Sequence, residues 1–300
     1  MGDIVDAIRG REFVAGLVFG TGALILAVAS GLLLRRRGDH PLPAGDALLA
    51  LAAILALPVA TSVPTRLWWG IGLLVVGGLV AQIWPFLAPL GPALAAPGAW
   101  VVSSESVVPE AGWVRWFVFV TIVAAVPLVS RFVTELRTGT WTPMMFAIFS
   151  LGIFISVPDT EESLILLGAS LPLALLSFPG SRAGFGVSGL YASLGLALWV
   201  IVQGGVGRPA AIIGASACLG LLLADPIARL LPGRGSLLDR FPSGWGGLVL
   251  ASFVQLLLVV AVARTAGLVG STDQAVLIGS AFLGPVTVIL WLGKPGTQTV

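Results

Sequence analysis

Long apolar runs broken by short polar punctuation recur along the whole chain. The first extends from Phe13 to Leu34 without a charged side chain. Others follow at about Ala47–Val63, Leu67–Leu90, Trp113–Arg131, Thr142–Val157, Ser163–Phe178, Phe185–Val202, Ala210–Leu231, Gly246–Ala263 and Gln274–Leu292. Within each run the apolar residues are continuous, not alternating, which predicts helices over strands. Runs of this length predict membrane spans, because backbone groups in lipid must be satisfied within each segment. The pattern predicts an all-α, polytopic membrane helix bundle of about ten transmembrane helices, with a range of 9–11.

The expected organisation is a single membrane domain over 1–300. Residues 1–12 form a surface lead, with Ile4, Val5 and Ile8 on one face. Residues 13–157 make the first half of the bundle, 158–162 an external acidic turn, and 163–300 the second half. Gly91–Gly112 carries Glu105 and Glu110 but no Lys or Arg, and reads as an external Pro/Ala/Ser loop. Splitting 67–103 into two passes gives eleven spans and an external N-terminus. A re-entrant 85–103 segment is the third arrangement. Pro85, Pro89, Pro92 and Pro97 weigh against a second pass.

Composition strengthens the membrane reading. Hydrophobic residues make up 57% and charged residues 10% of 300, against roughly 25% charged in soluble domains. Mean hydropathy is +1.03. Trp68, Trp69, Trp113, Trp116, Trp141, Trp199, Trp245 and Trp291 fall near predicted span ends, as expected of an interfacial aromatic belt. Arg131, Arg137, Arg182, Arg229, Arg234, Arg240 and Lys294 fall on one side of the second half, so the C-terminus is expected to be cytoplasmic. Lys294 is the only lysine among 16 basic residues, a bias associated with GC-rich bacterial genomes. The expected location is therefore a bacterial plasma membrane.

Charge and motifs exclude several classes. With a net charge of +2 and no basic tract beyond Arg35–Arg37, nucleic acid is not an expected partner. No phosphate-binding G-x-x-x-x-G-K-[ST] loop occurs, so no nucleotide is expected. His40 is the only histidine and Cys218 the only cysteine. Neither a zinc set nor a disulfide can be built from them, and no metal or cofactor is expected. Expected partners are the lipid bilayer and a membrane-protein partner or a second copy.

The candidate chemistry is sparse. Asp159, Glu161 and Glu162 form the densest acidic cluster and are candidates for cation, proton or substrate contacts. Their bland reading is a helix cap: Pro158 ends one helix, and Asp159-x-x-Glu162 resembles a capping box for the next. Arms of fifteen and sixteen residues, Pro143–Val157 and Ser163–Phe178, would draw the turn towards the membrane. Gln255 lies among Leu and Val in mid-span and is the core polar candidate, with interhelical hydrogen bonding as its alternative. Asp225 and Arg229, four residues apart, are expected to form a structural ion pair. Tyr191, in Gly186–Ser193, reads as part of a polar seam or of a close helix contact. Gly16, Gly20, Gly22, Gly70, Gly72, Gly77 and Gly78 read as close-packing glycines. No catalytic set emerges. The expectation is a secondary transporter or flippase-like protein. Its alternatives are a non-catalytic subunit scaffolding an envelope-assembly complex and an integral membrane enzyme on lipid-linked substrates.

Overall fold

The computed structural model describes residues 10–35, 64–106, 112–133, 136–157, 161–177, 187–206 and 245–267, with Ala56, Ile212, Ala215, Ser216 and Cys218 singly. These residues are all-helical. The α-helices are α1 (Arg11–Arg35), α2 (Thr65–Ile83), α3 (Gly91–Glu105), α4 (Trp113–Val133), α5 (Leu136–Ser156), α6 (Glu161–Ser177), α7 (Val187–Gly204) and α8 (Trp245–Gly267). A 3₁₀ segment, Pro85–Leu90, joins α2 to α3. Taken over the described residues, no helix is long and apolar enough to cross a membrane.

The centre of the assembly is α7. It packs against α2, α3 and α4, with a lesser contact to α6. From Ser188 to Val202 every one of its residues is buried. At Gly195 an added methyl would lie 2.5 Å from Leu74 Cδ1 of α2, so the missing side chain sets how closely those helices approach. A second group runs α1–α6–α5–α8, each helix packing on the next. One continuous apolar core, including Phe149, Ile165, Tyr191 and Leu194, joins the two groups.

Glycine fixes the direction of two helix pairs. In α1, a methyl on Gly16 would collide with Ile165 O, and one on Gly20 would lie 2.6 Å from Ala169 O. One turn along α1 thus corresponds to one turn along α6 in the same sense, so the pair is parallel. This is the small-xxx-small contact, in which missing side chains let two backbones touch. In the other pair Gly70 meets Val102, Gly98 meets Leu74, and Gly77 meets Leu94. The order reverses, so α2 and α3 are antiparallel.

Several expectations change here. The Gly91–Gly112 loop is instead helix α3 through Glu105. Its prolines are placed where they cost least: Pro85 and Pro89 lie in the 3₁₀ connection, and Pro92 lies in the first helical turn, where an N–H has no partner to lose. Only Pro97 is interior. The short first arm is also corrected, since α5 begins at Leu136 and has 21 residues. Its rise is about 32 Å, not the ~23 Å of a fifteen-residue helix. Gly22 and Gly72 have nothing within 4 Å of an added methyl and are not packing glycines. Trp199, one of the tryptophans near predicted span ends, is buried in α7, because the surrounding helices enclose that element.

Candidate functional site

The interior carries more hydrogen-bonding groups than its apolar sequence suggests. Ser103, Ser106, Ser150, Ser156, Ser163, Ser170, Ser188, Ser193 and Ser252 are buried, and Gln255 is 1% exposed. Many are satisfied locally. Ser150 Oγ donates to Phe146 O at 2.9 Å, and Ser170 Oγ to Leu167 O at 2.9 Å. Such bonds to the preceding turn let a hydroxyl enter a helical core at small cost. Gln203 ties two elements together, its Nε2 donating to Glu105 O at 3.3 Å.

The exceptions mark the candidate site. Among the described residues Gln255 Nε2 is buried without a hydrogen-bond partner, as is Ser156 Oγ. Ser156 lies on α5 and Gln255 on α8, two helices that pack together. At Gly152 of α5 an added methyl would lie 2.6 Å from Val259 Cγ1 and 2.9 Å from Cys218 Sγ. Gly152 therefore admits α8 and Cys218 to the same patch of α5. Ser156 follows one turn along α5, close enough to the Cys218 thiol to influence it, although its hydroxyl completes no well-formed hydrogen bond. Gln255 lies one turn before Val259 on the same buried face of α8, with Ser252 a further turn away. Unfilled capacity on a buried primary amide suits a neutral hydrogen-bonding solute or water better than an ion. Leaving such groups unsatisfied costs about 1–3 kcal/mol each, a standing cost that a functional role would explain.

In α7, Ser188 and Ser193 Oγ and Trp199 Nε1 are likewise buried without a hydrogen-bond partner among the described residues. Ser188, Gly195 and Trp199 fall within a narrow arc of the helix, because steps of three and four residues return to one face. The sequence indicated the Ser188–Ser193 stretch through Tyr191, which is fully buried. It marked Trp199 only as a span-end tryptophan and gave no signal for Ser156.

The acidic candidates are placed differently. Glu161 and Glu162 occupy the first turn of α6, Glu161 exposed and Glu162 half-buried. Carboxylates there complement the helix dipole. The turn is also closed by Ser163 Oγ, which donates to Val157 O at 3.5 Å. Asp159, Asp225 and Arg229 lie outside the described residues, so the capping pattern and the ion pair that involve them do too. The acids and Gln255 are on helices that α5 separates: α5 packs against both α6 and α8, which make no substantial contact with each other. The parallel register adds one acid that the sequence did not connect to this end. The offset from Gly20 to Ala169 brings Glu12, in the first turn of α1, level with Glu161. Among the described residues no group of three His, Cys, Asp or Glu side chains is placed to hold a metal ion.

No protein-family model and no curated protein matches this chain.

Proposed function

We propose that the chain is a polytopic protein of a bacterial plasma membrane, and that its bundle works as a secondary transporter or flippase-like protein with Gln255 as a polar contact on the path. The observation that carries this reading is the distribution of polarity. Serines and a glutamine are inside, while Val18 is 62%, Trp69 71% and Phe86 74% exposed. Water would favour the opposite arrangement. Lipid makes it economical, since outward apolar side chains lose nothing and inward polar ones hold helices together.

Two measures of span length disagree. Over the described residues no helix reaches the length and apolarity of a span. Yet α1 as a whole has 25 residues, rising about 37 Å against a hydrocarbon core of ~30 Å. Its charged residues are only Arg11, Glu12 and Arg35, at the two ends. The whole element carries more weight here, because a span is judged from end to end.

The acidic end of α1 and α6 supports a cap more directly than a coupling site, so the path is placed at α5 and α8. Reconstitution in liposomes tests the reading. The probes are translocation of a fluorescent phospholipid, read by quenching from outside, and solute-dependent proton flow, read by an entrapped pH dye. Activity in the natural protein with loss in Gln255→Leu is the expected outcome. Removing the unsatisfied amide should leave the melting temperature unchanged or higher. A stable, inserted protein silent in both assays, and recovered with a stoichiometric partner, would instead favour a scaffolding subunit.

A further inference from the structure

The α3–α4 pair presents a second feature, remote from Gln255. Trp100 of α3 stacks edge-on against Trp116 and Phe119 of α4, with ring centroids 6.1 and 6.0 Å apart. The Arg115 guanidinium lies over the Trp100 ring, 4.5 Å from its centroid. Among the described residues its buried Nε has no hydrogen-bond partner and the side chain forms no ion pair. Trp100, Trp113 and Trp116 are exposed around it. The other described charge at this end of the two helices is Glu105, at the last turn of α3. A half-buried cation fixed on an indole face, in the first turn of a helix whose dipole opposes it, calls for an anion.

Below the aromatic group the exposed residues of the two helices are apolar. Trp100 meets both Trp116 and Phe119, and in an antiparallel pair joined by a short connection this brings Pro97 near the level of Val120 and Ala93 near that of Ala124. All four are exposed, and three are small enough to leave a furrow between the helices. An anion-seeking head above an apolar furrow has the shape of one kind of ligand. We propose that the α3–α4 pair binds an anionic phospholipid, its phosphate against Arg115 and one acyl chain in the Pro97–Val120 furrow. This rests on the membrane reading above. Indoles at the same level suit the headgroup boundary, where amphipathic rings concentrate.

The test uses the full chain extracted in mild detergent, melted with phosphatidylglycerol, with phosphatidylcholine, or with inorganic phosphate alone. Phosphatidylglycerol is expected to raise the melting temperature by a few degrees more than phosphatidylcholine, and phosphate alone to do nothing. Arg115→Gln should abolish the preference. Arg115→Lys should keep part of it, since a point charge replaces a planar fork. Val120→Trp, which fills the furrow and leaves the charge, should reduce it. Equal shifts from both lipids, a full shift from phosphate alone, or an unchanged preference in Arg115→Gln would each overturn the site. If Arg115→Gln does not fold, unchanged preference in both Arg115→Lys and Val120→Trp overturns it. Recovery of the chain in the soluble fraction without detergent would overturn the membrane reading itself, a result distinct from any lipid preference.

Discussion

At the scale of single residues, glycines with the same sequence appearance do different things. Gly16, Gly20 and Gly22 sit within two turns of α1, but only the first two face α6. The backbone of Ala169 passes where a side chain on Gly20 would go, with Cα 2.9 Å and O 2.6 Å from an added methyl. Neither atom can rotate away as a side-chain end would. Gly20→Leu is therefore expected to lower stability by about 1–3 kcal/mol, the usual cost of overpacking. Gly22→Leu should be neutral, since nothing lies within 4 Å. Melting of the two variants in one detergent checks this, and equal losses would remove the asymmetry. The sequence made all three glycines candidates; which of them face a partner depends on the rotation of α1 about its axis. Because apolar residues surround that helix, its pattern carries no record of the rotation.

At the scale of elements, helix existence was legible and helix boundaries were not. Continuous apolar runs marked α1, α2, α4, α6, α7 and α8 without ambiguity. What they missed was α3, where proline density and a missing positive charge read as a loop. The physical reason is positional. Proline breaks a helix only where an N–H and the preceding turn are needed, and three of the four prolines from Pro85 to Pro97 avoid that condition. The unpartnered polar groups were legible in part. Gln255 stood out as an amide among Leu and Val, whereas Ser156 and Trp199 became informative only through burial. Pro97 supplies the prediction at this scale. It is exposed, so its ring contributes nothing to the core, while its neighbours Gly98 and Ala99 make the contact with α2. Pro97→Ala should restore a backbone hydrogen bond and raise stability by up to about 3 kcal/mol. Thermal melting checks the sign, and a fall would mean that the proline bend itself shapes the α2–α3 contact.

At the scale of the whole molecule, the parallel α1–α6 pair constrains the threading proposed above. Two parallel spans enter from the same side, so an even number of passes must separate their starts. With the run at 47–63, which lies outside the described residues apart from Ala56, taken as the span the sequence predicts, it makes six passes with α1, α2, α3, α4 and α5. Without α3 as a pass the count is five, and α6 would have to run against α1. The register at Gly16 and Gly20 thus favours the eleven-span arrangement, with the N-terminus on the same side as Glu161. On that proposal, and with the cytoplasmic C-terminus expected from the sequence, Arg35–Arg37 would face the cytoplasm, where basic clusters concentrate. Parallel packing sets two positive helix ends side by side, and Glu12, Glu161 and Glu162 in the first turns offset that repulsion. Single cysteines at Gly10, Glu161 and Lys294, in a Cys218→Ser background, test the arrangement. A membrane-impermeant maleimide should reach 10 and 161 from one side of sealed vesicles and 294 from the other. Labelling of 10 and 161 from opposite sides would break the parity and return α3 to a re-entrant segment.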